Sequence, residues 1–132
     1  MITIEQLKEI QQRAEKLKQY LAIDEKRVQL EEEELRTQDP GFWEDAKAAE
    51  VQMRKVKGIK AWIEGYEGVR SATEELQLAF DYCKEELVTE EEVDAAYAHA
   101  LKEVEALEMK NMLSHEEDQM PAVLKIVSGA GG

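Results

Sequence analysis

Residues 41–87 read GFWEDAKAAEVQMRKVKGIKAWIEGYEGVRSATEELQLAFDYCKEEL, with apolar residues at every third or fourth position. This spacing places the apolar side chains on one face of an α-helix. Asp39-Pro40 precedes the segment and predicts the helix start, because Asp caps a helix and Pro suits its first position. At a rise of about 1.5 Å per residue the helix should be about 70 Å long. Its apolar stripe comprises Phe42, Ala46, Ala49, Met53, Val56, Ile59, Ile63, Tyr66, Val69, Thr73, Leu76, Phe80, Cys83 and Leu87.

Two further amphipathic helices flank this segment. Thr3 with Gln6 predicts a capping box that begins a helix over about 4–36, and Thr89 with Glu92 begins another over about 90–113. Short connections make consecutive helices antiparallel neighbours. We therefore expect an all-α fold, an elongated antiparallel three-helix hairpin or bundle that resembles a coiled coil. The flanking stripes are Leu7, Ile10, Ala14, Leu17, Leu21, Val28 and Leu35, and Val93, Tyr97, Ala100, Val104 and Leu107.

The helix lengths predict how much of the central helix each flanking helix covers. The first helix should cover two-thirds of it and the last helix the remaining third, with overlap only around residues 63–73. Gly58, Gly65 and Gly68 lie in or near that stretch, and each costs about 0.8–1 kcal/mol relative to Ala inside a helix. A close helix approach or a kink would each account for them, and the sequence leaves both open.

The C-terminal residues differ in character from the helical domain, which we assign to residues 1–113. An acidic linker is expected over 114–121, and residues 122–132 read AVLKIVSGAGG, a β-like run that ends in glycines. A single strand has nothing to pair with. We therefore expect 122–132 to be the start of a truncated second domain. Its glycine spacing fits neither G-x-G-x-x-G nor the P-loop.

The composition restricts the classes of partner. The 132 residues include 30 Asp and Glu against 17 Lys and Arg, which gives a net charge of -13. This charge repels phosphate backbones, so a protein partner is expected and direct nucleic-acid binding is not. Cys83 is the only cysteine, which excludes an internal disulfide. The N-terminus lacks a signal-peptide pattern, and no apolar run reaches the roughly 20 residues of a membrane span. We expect a cytoplasmic protein without membrane contact.

The sequence contains no constellation typical of catalysis, cofactor binding or metal binding. His99 and His115 lack the i, i+4 histidine partner of a helical zinc site. Cys83 lies on the apolar stripe and is interpreted as a small buried residue. The runs Glu31–Glu34 and Glu90–Glu92 are interpreted as solvated helix faces, the second one also suiting a helix N-terminus. We expect no enzymatic activity from this chain.

Phe42 and Trp43 are the candidate protein-contact residues. They lie at the predicted tip of the helical hairpin, where an exposed aromatic side chain can anchor a partner. Packing of the two rings against the end of the first helix is the other interpretation, and the sequence favours it.

Several segments resemble the beginning of bacterial class-one peptide chain release factors, in particular the release factor 2 branch of that family. The resemblance covers the whole chain and is most specific at the junction near the C-terminus. Ala22 departs from the pattern, since the family often has Asp there. The matching segments are Glu32-Glu-Glu-Leu35, Asp39-Pro-Gly-Phe-Trp43, Leu107-Glu-Met-Lys-Asn-Met-Leu113, Val123-Leu-Lys-Ile and Ser128-Gly-Ala-Gly-Gly132.

The resemblance implies a parent protein that recognises UGA or UAA stop codons on the ribosome and triggers hydrolysis of peptidyl-tRNA. The family's Gly-Gly-Gln loop and Ser-Pro-Phe codon reader belong to later domains, and neither tripeptide occurs in this chain. The first domain of such factors is helical, contacts a stalk-base ribosomal protein of the large subunit, and is linked functionally to the class-two release factor GTPase. The resemblance thus implies a docking module.

The main alternative is a free-standing coiled-coil adaptor whose apolar stripes serve self-association. The β-like run at 122–127 disfavours it. A small enzyme ranks third, because the sequence lacks converging groups of complementary chemistry.

Overall fold

The computed structural model describes residues 1–119, and these residues are helical apart from short connections and the chain start. The all-α prediction is confirmed for them, and they contain no strand. The predicted β-like run at 122–127 lies outside the described residues. The elements are α1 (Ile4–Tyr20), α2 (Ile23–Arg36), a short 3-10 helix (Phe42–Glu44), α3 (Ala46–Lys84) and α4 (Glu90–Gln119).

Both predicted capping boxes are confirmed. The Gln6 backbone N–H donates to Thr3 Oγ1 over 3.1 Å, and the Thr3 N–H donates to Gln6 Oε1 over 2.9 Å. Thr89 and Glu92 repeat this reciprocal arrangement at 2.9 and 3.1 Å. These bonds satisfy backbone donors that have no partner within the first helical turn, and they set the starts of α1 and α4.

The predicted first helix is wrong in one respect, because the chain divides it at Ala22. Ala22 adopts the left-handed conformation with φ of 49°, which no α-helix can continue through. The break shifts the rotational phase of α2, so Ile23 becomes fully buried while Val28 and Leu35, both predicted to be apolar contacts, are more than half exposed.

The start of α3 also differs from the prediction. Asp45 is its N-cap, and Asp45 Oδ1 accepts hydrogen bonds from the backbone N–H groups of Lys47 and Ala48 at 3.1 Å. Asp39 instead accepts from the Gly41 N–H over 2.9 Å and stabilises the turn that precedes the 3-10 helix. The Asp39-Pro40 signal therefore marks a turn, and α3 begins several residues later.

The two flanking segments overlap far more than predicted. α1 packs against both α3 and α4, as shown by Gln11 Nε2, which donates to Gln77 Oε1 of α3 over 2.5 Å, and by Arg13, which binds Glu108 of α4. The hairpin connection takes up residues 37–45, which leaves 39 residues for α3 against 17 for α1 and 14 for α2. α4 also continues through Gln119, which makes residues 114–119 of the predicted linker helical.

The main core lies where α1, α3 and α4 pack together, and Ala49, Val56 and Ile59 of α3 are buried outside it. The main core joins every apolar residue predicted for the first four turns of α1 to the second half of α3 and to residues 93–107 of α4. Burial of these side chains is the main favourable contribution to folding, at about 25 cal/mol per Å². Its members are Leu7, Ile10, Ala14, Leu17, Leu21, Ile23, Tyr66, Val69, Ala72, Leu76, Phe80, Val93, Ala100, Val104 and Leu107.

Of the two explanations for the glycines of α3, a close helix approach is correct and a kink is not. α3 is one continuous helix across all three. A Cβ atom added at Gly65 would lie 3.0 Å from Leu107 Cδ1, and one at Gly68 would lie 3.3 Å from Glu103 Oε2, whereas Gly58 has nothing within 4 Å. Gly65 and Gly68 therefore allow α4 to pack closely on α3.

Candidate functional site

The tip of the hairpin formed by α2 and α3 is a compact turn, defined here as residues 37–45. The Thr37 backbone N–H donates to the Glu34 carbonyl over 3.0 Å, and the Phe42 N–H donates to the Asp39 carbonyl over 2.9 Å. The Asp39 side chain accepts a hydrogen bond from the Gly41 N–H within the turn, and the Asp45 side chain accepts from the Lys47 and Ala48 N–H groups where α3 begins. These bonds fix the backbone that carries Phe42 and Trp43.

Phe42 and Trp43 adopt an edge-to-face arrangement, with ring centroids 4.7 Å apart and an interplanar angle of 89°. This geometry is a favourable one for aromatic rings. Phe42 is half-buried, whereas Trp43 is 64% exposed. The favoured expectation that the pair packs against the first helix therefore does not hold for Trp43, whose indole is presented to solvent at the tip.

Behind the tip, α2 and α3 are joined by a polar network centred on Glu33. Gln52 Nε2 donates to Glu33 Oε2 over 2.6 Å and to the Glu33 carbonyl over 3.0 Å. Lys55 Nζ lies 3.2 Å from Glu33 Oε1. The Gln52 amide and, secondarily, the Lys55 ammonium hold the pKa of the Glu33 carboxyl below its usual range, although burial opposes this shift.

Glu33 corrects the interpretation of the run Glu31–Glu34 as a solvated face. Glu31 and Glu32 are exposed as expected, but Glu33 is only 5% exposed. A buried carboxylate is tolerated because its oxygens accept hydrogen bonds and face a cation. The network fixes α2 against α3 and thereby positions the tip.

The other residues considered in the sequence do not converge on a site. His99 and His115 are both exposed, and Cys83 is half-buried at the margin of the core. Among the described residues, no three His, Cys, Asp or Glu side chains are placed to hold a metal ion. Gly129–Gly132 lies outside the described residues.

Sequence reasoning missed the role of Gln52 and Lys55 in positioning the tip. Both are polar and lie off the apolar stripe, so only their proximity to Glu33 in the folded chain reveals it. Among the described residues, no helix is both long enough and apolar enough to cross a membrane.

The chain matches the PCRF domain family over residues 25–132. It is 31% identical over 133 aligned residues to peptide chain release factor 2 of Pseudoalteromonas translucida, an alignment that covers 98% of this chain and 36% of that protein. Peptide chain release factor 2 of Nitratiruptor is 35% identical, with 97% and 35% covered. The relative from Sulfurovum is 34% identical, with 97% and 36% covered.

The chain thus spans about a third of the length of the curated relatives that it matches. No solved structure matches it. The family match covers most of the residues, including nearly all of α2, the hairpin tip, α3 and α4. By this match the chain belongs to the PCRF domain family, the family of peptide chain release factors that its residues resemble.

Proposed function

We propose that this chain is the N-terminal helical domain of a translation termination factor and serves as a docking module on the ribosome. The longer protein directs release of the nascent peptide in response to UGA or UAA codons. Its codon-reading and hydrolytic elements belong to other domains, so this domain is not an enzyme. Support comes from the PCRF family match and from relatives named peptide chain release factor 2.

The exposed Trp43 at the hairpin tip is the observation that carries the docking role. An aromatic side chain with 64% exposure, held on a turn with hydrogen-bonded ends, provides a large contact area at a small entropic cost. Phe42 braces it from the side. We assign Phe42 and Trp43 to contact with a stalk-base ribosomal protein of the large subunit, in the cytoplasm, with only an indirect link to the class-two release factor GTPase.

The proposal can be tested by binding of residues 1–132 to ribosomes in a pelleting assay. Trp43→Ala should weaken binding by about tenfold, the effect of losing roughly 1.4 kcal/mol at an aromatic anchor. Tyr20→Ala is the matched control, because Tyr20 is an equally exposed aromatic residue at 71%, far from the tip. Equal binding by the two variants would refute the role of the tip.

A second measurement tests whether peptide release requires the other domains of the longer protein. Residues 1–132 alone should release no peptide from ribosomes programmed with UGA, whereas the longer protein should do so. Codon-dependent release by the 132 residues would overturn the proposal.

A further inference from the structure

The first half of α3 is basic in an otherwise acidic chain. Residues 46–60 contain five of the 17 cationic residues and only one acidic residue, Glu50, so their local net charge is +4 although the chain carries -13. The cations are Lys47, Arg54, Lys55, Lys57 and Lys60, and all five side chains are exposed. We call the surface formed by Lys47, Val51, Met53, Arg54, Lys57 and Lys60 the basic face.

Ion pairs within the fold neutralise only part of this positive charge. Lys55 turns towards α2 and pairs with Glu33, while Lys60 Nζ lies 4.0 Å from Glu34 Oε1. Arg54 pairs with Glu50 one turn before it on the same helix. Within the part of the chain that the structure describes, Lys47 and Lys57 form no ion pair, so the basic face retains positive charge.

Apolar side chains lie between these cations. Val51 is 64% exposed and Met53 is 44% exposed. Met53 and Lys57 line an open groove of about 480 Å³ whose lining also includes Glu50, Arg54, Val56 and Lys60. Met is an adaptable contact residue, because its unbranched side chain fits differently shaped partners.

The position of the basic face in the fold explains its exposure. α1 and the core-forming part of α4 pack on the second half of α3, where Gly65 meets Leu107. The first half of α3 is contacted by α2, through the Glu33 network, and by the short 3-10 helix. Among the described residues the basic face is open over about four turns, or about 22 Å, since Val51 and Met53 are exposed and a Cβ atom at Gly58 would meet nothing within 4 Å.

We propose that the basic face docks an acidic amphipathic helix of about four turns from a partner protein. Apolar residues of the partner lie on Val51 and Met53, and its Asp and Glu residues face Lys47, Lys57 and Lys60. The match is one of charge and length, as in other complexes in which a helix lies along a complementary surface.

A protein helix fits this face better than a nucleic acid. An extended phosphate backbone would run beyond the basic face onto surfaces that carry the excess negative charge of the chain, within the screening length of about 8–10 Å. A short helix experiences only the local charge of +4. Exposed Val51 and Met53 also favour a partner that carries apolar side chains. The inference is independent of the proposed ribosomal role of Phe42 and Trp43.

The test uses residues 1–132 and a fluorescein-labelled peptide of about 15 residues, with Leu at every third or fourth position and Glu between them. Fluorescence anisotropy should show saturable binding below millimolar concentrations, and amide shifts should map to residues 46–60. Lys57→Glu with Lys60→Glu should weaken binding by about tenfold or more. Met53→Ser should weaken it independently, and a scrambled peptide of equal charge should bind less tightly.

Lys8→Glu with Lys102→Glu is the matched control, because both lysines are exposed, lie on other helices and change the net charge equally. This pair should leave binding unchanged. The proposal is overturned if the control pair weakens binding as much as the test pair, or if no binding is seen at millimolar peptide. Tighter binding of a single-stranded RNA of similar length would assign the face to nucleic acid. A dimer that is detected by light scattering and is lost in the test pair would assign it to a second copy.

Discussion

Glu33 of α2 and Lys55 of α3 face each other across the hairpin, with Lys55 Nζ 3.2 Å from Glu33 Oε1 and with Gln52 completing the contact. In this part of the hairpin Ala49, Val56 and Ile59 of α3 are buried, whereas Val28 and Leu35 of α2 are exposed. The distal half of the hairpin therefore combines the polar network with a smaller set of buried apolar side chains than the α1–α3–α4 core contains.

Glu33→Gln should lower the melting temperature, because the neutral amide loses the ion pair with Lys55 and cannot accept as strongly from Gln52. Glu32→Gln on the same helix is the control, since Glu32 is exposed, and it should have little effect. Thermal unfolding followed by circular dichroism measures both. Equal melting temperatures for the two variants would contradict the role of the buried carboxylate.

The same pair predicts a pH dependence. The pKa of Glu33 is lowered in the folded chain, so its ionised form contributes stability above the unfolded pKa of roughly 4.3. That contribution is lost as the pH falls through the lower, folded-state value. The stability difference between the wild type and Glu33→Gln should therefore be largest near pH 7 and shrink in acid. A difference that stays constant down to about pH 3 would exclude this linkage.

Glu86→Gly should stabilise the protein by about 1 kcal/mol. Glu86 follows the C-cap residue Glu85 of α3 and has φ of 62°, a left-handed conformation that costs a residue with a Cβ atom about 1–2 kcal/mol. The Leu87 N–H donates to the Tyr82 carbonyl and the Glu86 N–H to the Cys83 carbonyl, the pattern of a glycine-preferring helix end.

Glu86→Ala is the control for Glu86→Gly, since it removes the same charge but keeps the Cβ atom. Chemical denaturation should show a gain for Gly well above that for Ala. Equal gains would mean that the lost charge, and not the backbone conformation, is responsible.

Gly58→Ala and Gly65→Ala should have opposite effects. A Cβ at Gly58 meets nothing within 4 Å, so Ala should add about 0.8–1 kcal/mol through its higher helix propensity. A Cβ at Gly65 lies 3.0 Å from Leu107 Cδ1, and Leu107 is only 4% exposed and cannot move freely. Overpacking typically costs about 1–3 kcal/mol, so Gly65→Ala should be destabilising. Denaturant midpoints compare the two, and similar gains at both sites would rule out close packing of α4.

Arg13 and Glu108 should show a coupling of about 1 kcal/mol in a double-mutant cycle. Arg13 Nε donates to Glu108 Oε2 over 3.0 Å, and a second guanidinium nitrogen binds the other oxygen, which makes the pair bidentate. Both side chains are about one-third exposed, so the coupling should be modest and should fall as salt is added. A coupling near zero at low salt would show that α1 and α4 do not depend on this contact.

The helices and their caps were largely predictable because their causes are local. Thr3 with Gln6 and Thr89 with Glu92 bond within one turn, so a four-residue pattern suffices to recognise each. The helix start predicted from Asp39-Pro40 was wrong, because Asp and Pro favour a turn as well as a helix start. Asp39 stabilises a turn, and Asp45, further along the chain, caps α3.

The candidate site was predictable in position but not in geometry. The place of Phe42 and Trp43 between two long helices was enough to put them at a tip. Their exposure could not be predicted, because it depends on which neighbours the turn brings near. Trp43 emerges at 64% exposed, while Phe42 is half-buried beside it.

By itself, the sequence determined the all-α class, the capped starts of α1 and α4, the apolar stripes of α1 and α4, and that of α3 apart from exposed residues such as Met53, since these follow from spacing along the chain. Only the tertiary structure decided that the chain breaks at Ala22, that Glu33 is buried and that Gly65 meets Leu107. Each of these depends on the phase and separation of helices distant in sequence. Side-chain packing sets those quantities, and local periodicity does not encode them.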